Sequence, residues 1–313
     1  MGAFHEGEQA VQERAGVREQ LAHAAFLRDF MPQQHRDFFA LLPFMLLASV
    51  DAQGQPWASA LAGAPGFAHS PDDHTLQLEA WPAAHDPLAA SLHPGAALGL
   101  LGIQQHTRRR NRMNGHVAEA DGKRLRIRVD QSFGNCPKYI QAREARFDAG
   151  RAAAPQVTRM AALDANAQAL VRSADTFFIA TAHPQARDSE KREHGIDVSH
   201  RGGKPGFVRV DGGHLLTVPD FTGNSFFNTI GNLLLEPRCG LLFVDFATGD
   251  TLQLSATARL VEDGADLASF RGALRLLRFE VTGAIHARRA LPLYWGEATP
   301  SPVLEHTGSW SGA

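Results

Sequence analysis

Short apolar runs bounded by turn-forming residues recur along most of the chain, and several alternate polar with apolar positions. Runs of this length and pattern predict β-strands. In the first half the predicted strands are 44–50, 57–61, 75–78, 97–103, 116–120 and 124–129. In the second half they are 176–182, 206–210, 214–218, 239–246, 251–260 and a last strand within 276–282. The pattern therefore predicts a mainly β chain with flanking helices.

Helix-favouring composition is found beside these runs. Residues 8–39 are rich in Ala, Gln, Glu, Arg and Leu, with only Gly16 and Pro32 interrupting, and they predict a helical lead-in. A further helix is expected over 224–236, because Pro237 cannot continue it.

The order of the predicted elements is the same in both halves. The sequence LGLLGI at 98–103 also resembles CGLLFV at 239–244, which indicates a duplicated domain. A chain of 313 residues has room for two domains of about 150 residues each. The predicted division is a helical lead-in at 1–36, a first β domain at 37–147, a linker at 148–168, a second β domain at 169–298 and a flexible tail at 299–313.

Charge and composition argue against several classes of protein. Thirty-one Lys and Arg against 33 Asp and Glu leave a net charge of −2, which gives no general attraction to nucleic acid. No window has the ~20 apolar residues of a membrane helix, and the Glu-rich N-terminus predicts neither a signal peptide nor an anchor. Because Cys136 and Cys239 lie in different halves, we expect a reducing, cytoplasmic setting.

Several well-known site motifs do not occur. The chain has no GxGxxG and no GxxxxGK[ST], which argues against a Rossmann fold and a P-loop. It also has no GxSxG, the motif of α/β-hydrolases. The 15 histidines show no close ligand spacing, so no metal site is predicted. Since no base is evident for Cys136, we interpret it as a small core thiol rather than a nucleophile.

Polar donors and glycines gather at residues 196–209, just ahead of a predicted strand. Arg201 has a planar fork of donors suited to phosphate oxygens, and the glycines after it let backbone N–H groups approach a ligand closely. The alternative is an exposed turn that happens to contain basic residues. The candidate binding residues of this segment are Ser199, His200, Arg201, Gly202, Gly203 and Lys204.

A second segment, 218–224, leads from a strand into the predicted helix. The first turn of a helix offers unpaired amides and the positive end of a dipole, which is a site that phosphates occupy. Asparagines recur every four residues along one face of this helix and indicate hydrogen bonds to a ligand or to a neighbouring backbone. The candidates here are Asp220, Gly223, Asn224, Asn228 and Asn232.

Two segments of the first half carry further polar chemistry. The arginine-rich run 107–112 is the densest positive patch and offers either a clamp for a second phosphate or carboxylate, or a solvated strand end. Residues 132–141 combine a turn with Cys136, Lys138 and Tyr139, and their composition alone does not assign a role.

Taken together, these motifs resemble those of the pyridoxamine 5'-phosphate oxidase-related, FMN-binding split-barrel family, and in particular a long bacterial branch with two tandem halves. The resemblance covers roughly residues 37–296. It is carried by DVSHRGGKPGF at 197–207, PDFTGNS at 219–225, GN at 231–232, GLLF at 240–243, DF at 245–246, TRRRNRMNG at 107–115 and FGNCPKYI at 133–140.

The resemblance implies a six-stranded barrel in each half and an FMN at the junction between the barrels. It places the FMN phosphate near Arg201 and the helix start at Asn224, with Ser199 and His200 beside the ring or the ribityl chain. It also implies that Lys138 and Tyr139 face the flavin from the other half. Near the C-terminus, Tyr294 stands where the family pattern has an arginine, which argues against a substrate site like that of the vitamin oxidase.

The function implied is that of an FMN-binding flavoprotein oxidoreductase, in which flavin N5 exchanges hydride with a small-molecule substrate. A reduced nicotinamide is the expected donor, and a homodimer is the expected assembly. The alternatives are a non-catalytic flavin- or heme-related binding protein and a structural duplication that has lost its ligand.

Overall fold

The computed structural model describes residues 3–21, 27–152, 154–189 and 191–310. Strands dominate, so the expected mainly β architecture is confirmed. The strands of the first half are β1 (Phe44–Val50), β2 (Pro56–Ala62), β3 (Ala68–His69), β4 (Thr75–Leu78), β5 (Ala97–Gln104), β6 (Arg109–Ala120), β7 (Leu125–Asn135) and β8 (Ala145–Phe147). Those of the second half are β9 (Gln156–Met160), β10 (Thr176–Ala182), β11 (Ile196–Gly202), β12 (Arg209–Asp211), β13 (Leu215–Asp220), β14 (Arg238–Val244), β15 (Thr251–Val261), β16 (Arg275–Arg288) and β17 (Leu293–Trp295).

The helices of the described residues are short. The α-helices are α1 (Glu6–Arg14), α2 (Arg18–Leu21), α3 (Gln33–Ala40), α4 (Leu88–Ser91), α5 (Ala165–Ser173), α6 (Asn228–Leu235) and α7 (Ala265–Ser269). Single 3-10 turns occupy Gln105–Thr107, Ala149–Arg151 and Pro302–His306. The lead-in is thus broken into separate helices, since Gly16 adopts a φ of 67° and Pro32 precedes α3. Residues 1–2 and 22–26 of the lead-in lie outside the described residues.

The two large sheets have the same strand order. In the first it is β2-β1-β5-β6-β7-β4-β3, and in the second it is β11-β10-β14-β15-β16-β13-β12. All these neighbours are antiparallel. The two tandem split barrels are therefore confirmed, and the short β3 and β12 give each sheet a seventh strand beyond the six that the resemblance implies.

Apolar side chains form a core inside each half and a third core between the halves. The core between the halves joins Leu46 and Leu101 of the first sheet to Phe178 and Leu242 of the second. Strand pairing shows that these residues occupy equivalent positions, because Leu46 lies opposite Leu101 and Phe178 lies opposite Leu242. The halves therefore pack through matching central strands.

Two equivalent glycines allow this close packing. A Cβ on Gly99 of β5 would lie 2.3 Å from the carbonyl oxygen of Ile196, and one on Gly240 of β14 would lie 2.5 Å from that of Pro56. Each glycine thus accepts a backbone segment of the other half where a side chain would clash. This contact places the ends of β11 beside β6 and so forms a cleft between the halves.

Two predicted segments differ from the structure. The linker 148–168 is not irregular throughout, because β9 pairs with β16 and extends the second sheet. The tail 299–313 is not a flexible tail over its described part, since the Trp310 ring is 7% exposed and its Nε1 donates to the Phe207 carbonyl at 2.9 Å. Residues 153 and 311–313 lie outside the described residues. The other domain limits remain a prediction.

No helix among the described residues combines the length and apolar character needed to cross a membrane.

Candidate functional site

A cleft of about 130 Å³ lies between the two halves and is lined mostly by polar residues. The second half contributes the end of β11, the loop after β13, the start of α6 and Arg275 of β16. The first half contributes Arg110 and Arg112 of β6 together with Asn135 of β7. Arg110 lies directly opposite Asn135 in the β6–β7 pairing, so both point to the same part of the sheet. The cleft is therefore a joint product of both halves.

Four arginines line this cleft: Arg110, Arg112, Arg201 and Arg275. Among the described residues, the one carboxylate in its lining is Asp220, whose two oxygens lie 3.5 Å from Arg201 Nε and 3.6 Å from Arg275 Nε. Neither of these buried Nε atoms has a hydrogen-bond partner in the part of the chain that the structure describes. Buried donors without acceptors are costly. The arrangement therefore has room and chemistry for an additional anionic acceptor.

Arg112 is held by a buried network behind the cleft. Its Nη1 donates to Asp197 Oδ1 at 2.9 Å, and the two side chains are only 4% and 7% exposed. Asp197 also accepts hydrogen bonds from Asn114 Nδ2 and Asn232 Nδ2, both at 2.9 Å. The four arginines carry four positive charges, and Asp197 and Asp220 carry two negative charges. These six residues together therefore have two positive charges in excess.

The protonation behaviour of the cleft residues reflects this excess charge. The pKa of the Arg110 guanidinium is lowered to about 9, first by burial and then by the charges of Arg112 and Arg201. Burial also lowers the pKa of His200 to well below its usual range, with Arg110 and Arg201 acting in the same direction. His200 is therefore neutral at neutral pH, and its buried Nε2 has no hydrogen-bond partner. An anion in the cleft would relieve the repulsion among these groups.

The loop between β13 and α6 gives the cleft its second wall. Ser225 and Phe227 adopt φ values of 63° and 60°, and Phe227, the N-cap of α6, makes no side-chain cap. The first amides of α6 therefore have no capping side chain. Asn224 lies in this loop, where its Oδ1 accepts from Phe226 N and its Nδ2 donates to Asn135 Oδ1. Asn224 thus links the two walls of the cleft.

Most of the candidate residues from the sequence come together here. The cleft is lined by Ser199, His200, Arg201, Asp220, Gly223, Asn224 and Asn228. A smaller adjoining hollow is lined by Lys138, Tyr139 and Gly202, and it shares His200, Arg201, Asp220 and Gly223 with the cleft. In this hollow the Tyr139 ring stacks on Phe221 at 5.0 Å between centroids. Their contact with a cofactor remains a prediction.

Three candidate residues face other parts of the protein. Gly203 N donates to the Asp175 carbonyl, and a Cβ on Gly203 would lie 2.3 Å from the Phe207 ring. Lys204 Nζ donates to the Thr307 carbonyl at 2.9 Å. Asn232 is fully buried beneath the cleft in the Asp197 network. These three residues do not line the cleft.

The predicted row of asparagines on one helix face is wrong in its first member. The helix α6 begins at Asn228 rather than at residue 224, because the left-handed Ser225 and Phe227 interrupt helical geometry before it. Asn228 lines the cleft but donates through Nδ2 to Glu8 Oε1 of α1. The carboxamides therefore serve mainly as protein hydrogen-bond partners.

The arginine-rich run divides into three parts. Within β6, strand alternation places Arg110 and Arg112 in the cleft lining, whereas the Arg109 side chain donates to Gln34 O. Arg108 precedes the strand, and its side chain donates to Ile140 O. Sequence reasoning missed Arg275, which lies far along the chain from the other arginines. Only the pairing of β13 with β16, in which Arg275 lies directly opposite Asp220, brings it to the cleft.

Within the described ranges, one group of side chains has the spacing of metal ligands, namely His5, Glu6 and His183, whose ligand atoms lie within 4.8 Å of one another. The Nδ1 atoms of both histidines accept backbone N–H groups, from Gly7 and Gln185. A neutral imidazole with an accepting Nδ1 carries its proton on Nε2 and has no lone pair there for a metal. His183 Nε2 donates to Glu6 Oε1 instead, so the group favours a hydrogen-bonded cluster.

The two cysteines lie in different environments. Cys136 is partly buried, and its carbonyl oxygen accepts a hydrogen bond from Arg110 Nε at 2.7 Å. Cys239 is buried in the core of the second half, where burial raises the pKa of its thiol. Cys239 therefore fits a core thiol, whereas Cys136, which was expected to be one, belongs to none of the apolar cores of the described residues.

Comparison with known proteins gives a family match and several distant structural similarities. Residues 31–159 match the family model described as pyridoxamine 5'-phosphate oxidase. None of the curated proteins matches the chain. Over residues 31–159, the chain is similar to a family already indicated by its sequence motifs.

Three of the similar solved structures, all from bacteria, illustrate these similarities. A variant of HupZ from Group A Streptococcus is 11% identical and covers 39% of this chain and 98% of its own, with a TM-score of 0.30. A putative pyridoxamine 5'-phosphate oxidase from Lactobacillus delbrueckii is 15% identical, covers 40% and 94%, and has a TM-score of 0.31. An FAD-binding protein from Mesorhizobium loti is 12% identical, covers 42% and 97%, and has a TM-score of 0.27. The family match covers residues 31–159, and over this part the chain is similar to the pyridoxamine 5'-phosphate oxidase family.

Proposed function

We propose that this protein is an FMN-binding flavoprotein whose arginine-lined cleft holds the FMN phosphate. The observation that supports this most strongly is the set of buried guanidinium Nε atoms, on Arg201 and Arg275, that lack hydrogen-bond partners. A phosphate dianion offers several acceptor oxygens and matches the two positive charges in excess. Arg110 lies on the opposite wall and completes the clamp from the first half.

The residues around the phosphate position fit the other parts of a flavin mononucleotide. Ser199, Asn135 and the uncapped amides at the start of α6 offer hydrogen bonds near the cleft. The stacked rings of Tyr139 and Phe221 lie in the adjoining hollow and provide an apolar surface for a flat ring. His200, neutral and without a partner at Nε2, is available to hydrogen-bond the ligand.

Bound FMN would supply two-electron chemistry, by exchange of hydride at the flavin ring. The protein's part is to bind and orient the ligand by its phosphate, with Arg112 fixed in place by Asp197. We propose an oxidoreductase that acts on a small-molecule substrate and draws electrons from a reduced nicotinamide. A cytoplasmic location and a homodimer, both expected from the sequence, belong to the same proposal.

The experiment that tests the site compares purified variants for bound flavin. We expect Arg201→Ala combined with Asn224→Ala to lose the yellow chromophore, because the pair removes one cationic donor and the link between the cleft walls. Arg172→Ala is the matched control, since Arg172 is exposed on α5 and bonds only Gln168 among the described hydrogen bonds. Equal flavin content in all three proteins would overturn the assignment.

A second candidate function is that of a non-catalytic flavin- or heme-related binding protein. This function is favoured because the side chains of Asn228, Asn232 and Lys204 form hydrogen bonds with other protein groups. These three side chains are therefore not free to bind a substrate. Addition of reduced nicotinamide to the flavin-loaded protein separates the two functions. Repeated reduction and reoxidation of the flavin supports the oxidoreductase, and an unreduced flavin supports the binding protein.

A further inference from the structure

The equal strand order of the two halves implies that the arginine cleft has a counterpart in an equivalent position. A second cleft does lie between the halves, lined by β2 and the segment after β4 from the first half and by β14, β15 and the segment after β16 from the second. The contributions of the halves are thus exchanged relative to the arginine cleft. Its volume of about 250 Å³ compares with about 130 Å³ for the arginine cleft.

Strand pairing identifies the residues that replace the arginines. Met45 of β1 and Phe177 of β10 occupy equivalent positions in the two sheets. Met45 pairs with Leu61 and Phe177 pairs with Arg201, so Leu61 is the equivalent of Arg201.

The same argument applies to the next pair of strands. Arg112 pairs with Leu101, and Gln253 pairs with the equivalent Leu242, so Gln253 is the equivalent of Arg112. Arg110 pairs with Ile103, and Thr251 pairs with the equivalent Val244, so Thr251 is the equivalent of Arg110. The three arginine positions therefore carry leucine, glutamine and threonine, and the second cleft lacks the charges that hold a phosphate.

The walls of the second cleft are largely apolar. They include Trp81, Pro82, Leu61, Leu242 and Leu291. Of the described residues that line it, the only arginine is Arg289, whose side chain is exposed. A mostly apolar cleft with a few fixed polar groups is the usual form of a small-molecule site.

The fixed polar groups are Asp86 and Gln253. Asp86 Oδ1 accepts three hydrogen bonds, from Ser59 Oγ at 2.6 Å, from Leu88 N at 2.9 Å and from Gln253 Nε2 at 3.3 Å. Among the described residues, no hydrogen bond or ion pair reaches Asp86 Oδ2. The Asp86 carboxylate is therefore rigidly oriented through one oxygen and has its second oxygen available as an acceptor.

We propose that this second cleft binds a small aromatic amine, with the ring against Trp81 and the amino group donating to Asp86 Oδ2. An amine suits the site because a carboxylate without a cationic partner takes a charged donor best. The apolar walls accept the ring, and an indole also attracts a nearby cation. Aromatic anions are excluded, because Asp86 would repel their carboxylate and no arginine occupies the equivalent of Arg201.

The test is calorimetric titration of the full-length protein with benzylamine and with benzoate. We expect saturable binding of benzylamine and none of benzoate. Asp86→Asn should weaken benzylamine binding at least about tenfold, because it replaces the carboxylate with a neutral amide. Glu79→Gln is the matched control, since Glu79 is an exposed carboxylate in the neighbouring strand end, and it should leave binding unchanged.

A second variant keeps the test valid if Asp86→Asn fails to fold. Ala80→Leu adds a side chain to the lining of the cleft at a partly buried position and should abolish benzylamine binding by occupying its space. Benzoate binding as tight as that of benzylamine, or benzylamine binding unaffected by the folded variants, would overturn the proposal. So would the absence of benzylamine binding to the unaltered protein.

Discussion

The buried ion pair between Arg112 and Asp197 joins the two halves, and its removal gives a specific prediction for stability. Replacing Arg112 with Met keeps much of the side-chain length. Of the side-chain donors that the structure describes at Asp197, the carboxamides of Asn114 and Asn232 would remain. Both partners of the pair are more than nine-tenths buried. Breaking a pair of this kind from one side costs about 3–5 kcal/mol, because the remaining charge is buried without its counter-ion.

The expected result is a fall in the free energy of unfolding of about 3–5 kcal/mol for Arg112→Met. At roughly 2–4 °C per kcal/mol, this corresponds to a fall in Tm of roughly 10 °C. The measurement is urea unfolding followed by circular dichroism, without added flavin, because a bound ligand would change the stability by mass action.

Three further variants complete the test: Asp197→Asn alone, its combination with Arg112→Met, and a control. Arg112→Met combined with Asp197→Asn should recover part of the loss, since the uncompensated carboxylate is gone. Arg126→Met is the control, because Arg126 forms an exposed pair with Glu119 that is worth less than about 1 kcal/mol. The reasoning is refuted if Arg112→Met costs no more than Arg126→Met, or if the double variant is as unstable as the two single losses added together.

Three other predictions follow from the structure. Gly240→Val should destabilise the contact between the halves by about 2 kcal/mol or more, because its Cβ would meet the Pro56 carbonyl at 2.5 Å; chemical denaturation measures this, and an unchanged midpoint would contradict it. Burial lowers the pKa of His5 from 6.5 to about 4, so the unfolded chain takes up the proton first and stability should fall as pH drops from about 6.5 to 4; His5→Gln should flatten that slope in acid unfolding curves. Trp310→Ala should lower Tm, since it removes buried ring area and the hydrogen bond to Phe207; an unaltered melting curve would show a loose tail.

The sequence was a good guide where a local pattern decides the structure. Apolar runs such as those of β1 and β10 are buried along most of their length, and strand alternation separates Arg110 and Arg112 from Arg109. The repeated order of strands is likewise visible in the sequence.

The sequence was a poor guide where long-range packing decides. The backbone at Ser225 and Phe227 is left-handed although neither residue favours that region, so the start of α6 could not be read from propensity. Arg275 joins the cleft only through the pairing of β16 with β13, and Trp310 is buried only because Phe207 provides an acceptor nearby. Such contacts between residues far apart in sequence leave no local pattern.

The clamp of arginines around a phosphate is tested most directly by comparing FMN with riboflavin, which has the same ring and ribityl chain but no phosphate. Fluorescence titration of the apoprotein should give at least about tenfold tighter binding of FMN, because charge-assisted hydrogen bonds to the phosphate are absent in riboflavin. Arg201→Ala should remove most of that difference. Riboflavin binding as tight as FMN binding, in the unaltered protein, would contradict the assignment of the cleft.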